Sequence, residues 1–224
     1  MKTLLVTGAS RGIGLEICKL AAKEGNNVIA LSRNIKPFSS IENIYPFSVD
    51  LSDEIPIKSF VEKIGLSFSK IDVLINNAGN LINKPFLKTS SEDFKKIFQV
   101  NLFAVASLIR LIFPLIDSKG HVVNICSMGG VQGTVKFPGL SAYSSSKGGL
   151  ITLTELLAEE FKDMGPAFNA LALGSVQTEM LEEAFPGYKA SVSSTKMASY
   201  ILDFAFNGHQ FYNGKVLPIA LSTP

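Results

Sequence analysis

Tyr143 and Lys147 stand four residues apart in the stretch S-A-Y-S-S-S-K-G-G-L that covers residues 141–150. On a helix that spacing puts a phenol and an ammonium on one face, one turn apart. A neighbouring positive charge favours phenolate, so a group with an unperturbed pKa of about 10 is drawn toward neutrality and can donate or accept a proton. The intervening Ser144, Ser145 and Ser146 are small enough to let another body lie close. Tyr and Lys at helical spacing also make an ordinary surface pair, so the reading depends on what other segments bring alongside. Two further residues qualify. Ser127 follows the apolar run H-V-V-N-I-C (121–126) and places a hydroxyl at the carboxyl end of a predicted strand. Asn101 falls on the apolar stripe of a predicted helix, between Phe94 and Phe98 on one side and Val105 on the other. A buried amide costs about 1–3 kcal/mol unless its donors and acceptors are used, either by backbone or by a carbonyl or water in an active site.

The elements that must position these groups follow from hydrophobic periodicity. Residues 3–7 form a short apolar strand, followed at once by Gly8-Ala9-Ser10-Arg11-Gly12-Ile13-Gly14 and a helical pattern at Ile13, Ile17, Leu20 and Ala21. Strand, glycine turn and helix together offer bare backbone N–H groups and a helix N-terminus to a phosphate. Gly8 permits the turn, Gly12 lets backbone approach a pyrophosphate, and Gly14 lets helix and strand pack closely. No Lys-Ser or Lys-Thr follows these glycines, which argues against a nucleoside-triphosphatase loop.

A second strand, 27–31, ends at Ser32-Arg33-Asn34, where a dinucleotide's adenosine ribose would lie. An acid there would hold a free 2′-hydroxyl; Arg33 suits a 2′-phosphate, and Arg11 can reach the same phosphate from the glycine turn. The stretch 35–42 holds Pro37 and allows only a brief helix. A third strand, 44–49, leads to Asp50 and Leu51, a carboxylate able to accept from an adenine amino group. A helix over 53–65 takes Ser52 or Asp53 as its cap. The strand 71–75 runs into Asn76-Asn77-Ala78-Gly79, either a turn or the wall of a ligand crevice. Ser90 with Asp93 opens the longest helix in a capping-box pattern, and its apolar positions continue to Ile112. Ser141 is the expected N-cap of the helix over 141–162. After a strand at Ala167–Leu173 come Gly174-Ser175-Val176-Gln177-Thr178; a helix over 196–206 and a strand over 215–220 close the chain.

Composition narrows the classes. The chain has 224 residues, 46% hydrophobic and 18% charged, with a formal net charge of +2, which suits one domain over residues 1–224. Lys and Arg are scattered, so no nucleic-acid partner is indicated. Cys18 and Cys126 have no metal-ligand spacing; they read as buried free thiols in a reducing compartment, and no metal site is expected. Only three apolar residues stand between Thr3 and Thr7, too few for a signal peptide, so the expected location is cytoplasmic. The apolar run 100–116 carries Asn101, Arg110 and Pro114 and reads as a buried helix rather than a membrane span.

With Thr7 to Gly14, Asn76 to Gly79, Asn101, Ser127, Tyr143 and Lys147 in this order, the sequence resembles the short-chain dehydrogenase/reductase family over nearly its whole length. The resemblance implies an α/β fold: a single-domain Rossmann fold, a doubly wound seven-stranded parallel sheet with helices on both faces, and NADP(H) along the strand ends. It implies that Tyr143 is the general acid or base, that Lys147 lowers its pKa and holds the nicotinamide ribose, that Ser127 binds the substrate oxygen, and that Asn101 anchors a water joining Lys147 to solvent. Cofactor contacts are implied for Gly8, Ser10, Arg11, Gly12, Ile13 and Gly14 in the turn; for Ser32, Arg33, Asp50 and Leu51 around the adenosine; for Asn77, Ala78 and Gly79; and for Gly174, Val176 and Thr178 near the carboxamide, besides Tyr143 and Lys147. The interval from Ser127 to Tyr143 is longer than usual for the family, Leu173-Gly174 replaces its usual Pro-Gly, and the end at 217–224 lacks a terminal Gly-Gly pair, which puts the usual C-terminal subunit contact in doubt.

The expected function is hydride transfer between NADP(H) and a small-molecule carbonyl or alcohol. Residues 179–195, with Phe185 and Tyr188, form the substrate loop region. The alternative is an NADP(H)-binding sensor or scaffold with little or no turnover, which has no need of a Tyr–Lys–Ser–Asn set. A homodimer or homotetramer, paired through the helices at 94–112 and 141–162, is implied by the same resemblance.

Overall fold

Runs that are apolar without alternation form most of seven strands: β1 (Thr3–Thr7), β2 (Asn27–Ser32), β3 (Ile44–Ser48), β4 (Ile71–Asn76), β5 (Ile116–Ser127), β6 (Ala167–Leu173) and β7 (Val216–Ile219). These belong to a computed structural model that describes residues 1–39 and 41–221. The strands pair in the order β3-β2-β1-β4-β5-β6-β7, every pair parallel. Continuous apolar runs are what a parallel sheet with both faces covered requires, and Leu4, Leu5 and Val6 in β1 are all fully buried. Helices α1 (Gly12–Lys23) and α7 (Ser194–Asn207) cover one face; α2 (Glu54–Gly65), α4 (Ala104–Ile112) and α5 (Ser141–Glu160) cover the other. This is the doubly wound Rossmann arrangement expected from sequence. Strand order reverses between β1 and β4, so a crevice opens at their carboxyl ends.

Local signals explain most element ends. Asp53 caps α2 by accepting from the Ile55 N–H at 2.9 Å. Helix α3 (Ser91–Phe98) starts at the expected capping box, with Ser90 Oγ accepting from the Asp93 N–H at 3.1 Å and Asp93 Oδ2 from the Ser90 N–H at 2.9 Å. A π turn at Gln99–Phe103 joins α3 to α4. The Ser91–Leu115 stretch reaches a mean hydropathy of 1.7, long and apolar enough to span a membrane by composition alone. Its Val105, Leu108, Ile109 and Ile112 are instead buried in the core beside the sheet.

Three expectations need correction. Ser141 does not cap α5: it is the first helical residue, Leu140 holds the cap position, and Ser141 Oγ is buried without a partner. Leu140, 6% exposed and part of the cleft wall, takes that place because its carbonyl accepts the first helical bond, from the Ser144 N–H at 2.8 Å. The same helix ends at Glu160 rather than Lys162. Strand β5 begins at Ile116, not His121: Ile116 pairs with Ile71, and a register irregularity then sets His121 opposite Val73. The intervening Asp117, Ser118, Lys119 and Gly120 read as loop, and a bulge accommodates them. Residues 222–224, the end of the tail that lacks a Gly-Gly pair, lie outside the described residues.

His121, fully buried on β5, makes the fold sensitive to acid. Its Nδ1 lies 3.1 Å from the Ala205 carbonyl, and its Nε2 lies 2.9 Å from Asn169 Nδ2. A carbonyl on one side and an amide donor on the other select the neutral ring with its proton on Nδ1. Asn169 cannot turn over without loss, because its Nδ2 also donates to the Tyr212 carbonyl and its Oδ1 accepts from the Lys215 N–H. Burial pushes the His121 pKa down to about 4, against a raising contribution from the Ala205 carbonyl. The unfolded chain takes up this proton near pH 6.5 and the folded chain only near pH 4. The contribution is therefore complete above the higher value and lost as pH falls between them, about 3 kcal/mol in all. In urea titrations the parent should lose about 2 kcal/mol more between about pH 7.5 and 5 than His121→Gln does; equal losses would remove His121 from this account.

Candidate active site

A cleft of about 1020 Å³ follows the carboxyl ends of the strands, from the glycine turn and Arg33 at one end to Ser127, Tyr143 and Lys147 at the other. Every candidate read from sequence lines it except Gly14 and Asn101, which stand behind its wall.

At the turn, Gly8 and Gly12 hold φ of +65° and +54°, a region that side-chain-bearing residues rarely adopt. A Cβ on Gly14 would collide with the Gly8 carbonyl and Asn77 Nδ2, so the expected close packing is observed. Asn77 Nδ2 donates to the carbonyls of Thr7 and Gly8 at 3.0 and 3.2 Å. Thr7 Oγ1 in turn accepts from the N–H groups of Asn77 and Ala78 at 3.1 and 3.0 Å. The Asn77 amide hydrogens, expected near a ribose, thus hold the turn itself.

The adenosine end is partly committed. Ser32 Oγ donates to the Asn34 carbonyl at 2.6 Å. Asp50 Oδ1 accepts from the Ser52 N–H at 2.9 Å and the Ser52 hydroxyl at 2.8 Å; these bonds lower its pKa, and the charge of Arg33 lowers it further. Arg33 is exposed. The Arg11 guanidinium pairs with Glu183 on α6 (Glu179–Ala184).

At the other end α5 presents Tyr143 and Lys147 on one face, with Lys147 Nζ 6.0 Å from the Tyr143 ring centroid. Lys147 is 3% exposed, and its Nζ donates to the Ile125 carbonyl at 2.7 Å. Burial lowers its pKa, with Cys126 acting weakly the other way. Burial pushes Tyr143 up to about 12; the Ser127 hydroxyl beside it draws it back only in part. Removal from water thus acts on the phenol against the fall expected from Lys147, whose Nζ is bonded to a carbonyl. The longer interval after Ser127 is absorbed by a 3₁₀ turn at Met128–Gly130 and the loop before α5, and Ser127 lines the cleft together with Tyr143.

Asn101 is fully buried. Its Oδ1 accepts from the Asn80 N–H at 2.7 Å, and its Nδ2 donates to the Asn80 carbonyl at 2.9 Å and to Ser146 Oγ at 3.0 Å. Ser146 Oγ donates to the Tyr143 carbonyl at 2.7 Å. Of the two readings of this side chain, the backbone-bonded one is observed, yet the bonds join the crevice loop to the helix of Tyr143.

Thr178 Oγ1 caps α6 by accepting from the Leu181 N–H at 3.2 Å. Phe185 and Tyr188 line the cleft as expected, with the Tyr188 hydroxyl 3.1 Å from Ser175 Oγ. Met128, Phe137 and Leu140 add apolar surface.

Sequence reasoning gives Thr7 no role of its own within the first motif and passes over Asn80, Asn124 and Thr154. Asn76 Nδ2 donates to Asn124 Oδ1, and Asn124 Nδ2 to Thr154 Oγ1, both at 2.8 Å, which ties β4, β5 and α5 through the core. The signal was available: Asn124 interrupts an apolar strand as Asn101 interrupts an apolar helix, at the same cost if left unpaired. Glu183 carried no such mark.

Comparison with known proteins agrees with this geometry. The profile of the short chain dehydrogenase family matches residues 2–189. A 3-oxoacyl-(acyl-carrier-protein) reductase of Thermotoga maritima is 32% identical over 192 residues, 81% of this chain and 77% of that one. Among solved structures, 4-hydroxyisoleucine dehydrogenase complexed with NADH superposes with a TM-score of 0.87 at 28% identity, covering 98% of this chain and 97% of that one. ElxO with NADP bound gives 0.85 at 30% identity, covering 98% of each. The chain is a member of the short-chain dehydrogenase/reductase family of oxidoreductases.

Proposed function

We propose that this chain reduces a carbonyl substrate with NADPH, Tyr143 giving the proton and Ser127 holding the substrate oxygen. The observation that carries the reading is the convergence of Ser127, Tyr143 and Lys147 on one end of a cleft whose other end is a glycine turn open to phosphate. The cleft fits a dinucleotide: it is large enough, and the positive φ of Gly8 and Gly12 leaves backbone uncovered where a pyrophosphate would meet it. When bound, the nicotinamide supplies the hydride.

The chain's own residues do the rest. Tyr143 remains protonated at neutral pH and donates to the carbonyl oxygen as negative charge develops there. Ser127 offers a second hydrogen bond to that oxygen. Lys147 keeps donor capacity beyond its bond to Ile125 and holds ribose hydroxyls. Asn101 and Ser146 keep α5 in place. Met128, Phe137, Leu140 and Phe185 favour an apolar group beside the carbonyl. Arg33 gives the preference for the 2′-phosphate. We place the protein in the cytoplasm, where its two buried free thiols persist, and read it as a homo-oligomer paired through α4 and α5.

Tyr143→Phe should lower kcat by at least about 100-fold and leave NADPH affinity within about three-fold, because the hydroxyl serves chemistry and the ring serves packing. A variant keeping a large share of the parent rate on any confirmed substrate would unseat Tyr143.

Reduction needs the phenol and the reverse oxidation needs phenolate, so the raised pKa separates the two directions. Carbonyl reduction should stay level between about pH 6 and 9, while alcohol oxidation rises about tenfold per pH unit across that window. A reduction rate already halved at pH 7 would place the phenol near neutrality and contradict the assignment.

Arg33→Ala should weaken NADPH binding by about ten-fold or more and NADH binding little, as expected for a charge-assisted contact to phosphate. Equal parental affinities for the two cofactors, or an unchanged NADPH affinity in the variant, would reject the NADP preference.

A further inference from the structure

Arg11 stands in the glycine turn just before α1, yet its guanidinium is held by α6. Nη1 bonds Glu183 Oε1, and Nη2 lies 3.3 Å from Oε2, a two-point fork on one carboxylate. Glu179, one turn earlier on α6, acts on the same guanidinium. The next residue along, Ala184, offers its carbonyl to Asn83 Nδ2 at 2.9 Å, and Asn83 lies in the segment that follows β4. Residue 183 is thus fastened to the turn after β1 and residue 184 to the segment after β4, the two walls of the crevice.

We infer that Glu183 is a specificity-determining residue, which limits the preference for NADPH over NADH by competing with the 2′-phosphate for Arg11. The inference rests on the NADP reading above. A guanidinium fork that grips one carboxylate cannot present the same edge to a phosphate. Arg11 and Glu183 side chains are 49% and 63% exposed, so their pair is weak enough for a phosphate to displace, but its loss subtracts from NADPH binding alone. NADH makes no demand on Arg11 and leaves the pair intact. The Asn83 bond to Ala184 keeps α6 anchored when Arg11 leaves.

Cofactor binding, followed by nicotinamide fluorescence without any substrate, tests this. Glu183→Gln should tighten NADPH about two- to five-fold, the scale of one exposed ion pair, and leave NADH unchanged. Glu182→Gln removes the same charge from the same helix outside the Arg11 pair and should change neither. In an Arg11→Ala background, Glu183→Gln should have no effect on NADPH. Unchanged NADPH affinity in Glu183→Gln, equal gains for both cofactors, or a gain that survives Arg11→Ala would each overturn the inference while leaving the role of Arg33 standing. A parent without NADPH preference would instead withdraw the NADP reading, and this inference with it.

Discussion

Everything in the cleft depends on how closely the ends of β1 and β4 can approach where strand order reverses. Two strands diverging into opposite crossovers leave backbone N–H and carbonyl groups without ladder partners, and buried groups of that kind cost about 1–3 kcal/mol each if unpaired. Thr7 Oγ1 takes two of those N–H groups and Asn77 Nδ2 serves two of the carbonyls. The junction is then compact enough that Gly14 can carry no side chain. A crevice with rigid walls results, and the glycine turn is fixed in the geometry that leaves backbone open to an anion.

The far end is fixed by a different device. An amphipathic helix packed by apolar contact alone can rotate a little without much loss, and α5 carries small residues over much of its first half, so packing specifies its rotation poorly. Polar bonds specify it instead. Thr154 is bound to Asn124, Ser146 to Asn101, and Lys147 Nζ to the Ile125 carbonyl, three anchors along one side of the helix. Each is buried, so slipping any of them leaves a polar group unsatisfied in a medium where that is expensive. This framework sets the rotation of the helix that carries Tyr143.

What could be read in advance follows from which forces act locally. Continuous apolar strands, the glycine turn and the capping box at Ser90 are local patterns, and they appear where the sequence puts them. Polar residues inside apolar runs were legible as a class, which is how Asn101 stood out; Asn124 bears the same mark and was overlooked. The bulge that extends β5 back to Ile116 was hidden because Asp117 to Gly120 carry turn chemistry, and only pairing with β4 makes them strand. Ser141 is of a type that suits a cap, but the first helical bond runs to the Leu140 carbonyl, which no residue type announces. The Arg11–Glu183 pair joins residues far apart in sequence, and nothing near either one announces the other.

The surroundings of Tyr143 add a second influence to what residue types and spacing say of its chemistry. From spacing, a cation one turn away should favour phenolate. In the fold, the cation is itself desolvated and faces a carbonyl, and burial drives both groups toward their neutral forms: the phenol up to about 12, the ammonium down. That combination suits donation. A phenol held protonated delivers its proton when the substrate oxygen becomes basic, and it needs no low pKa beforehand. On the function proposed above, the same low-dielectric surroundings would strengthen each hydrogen bond to the developing oxyanion, that of Ser127 included. Under that proposal burial would do two things at once: keep the acid loaded, and make the oxygen-binding groups count most when charge appears.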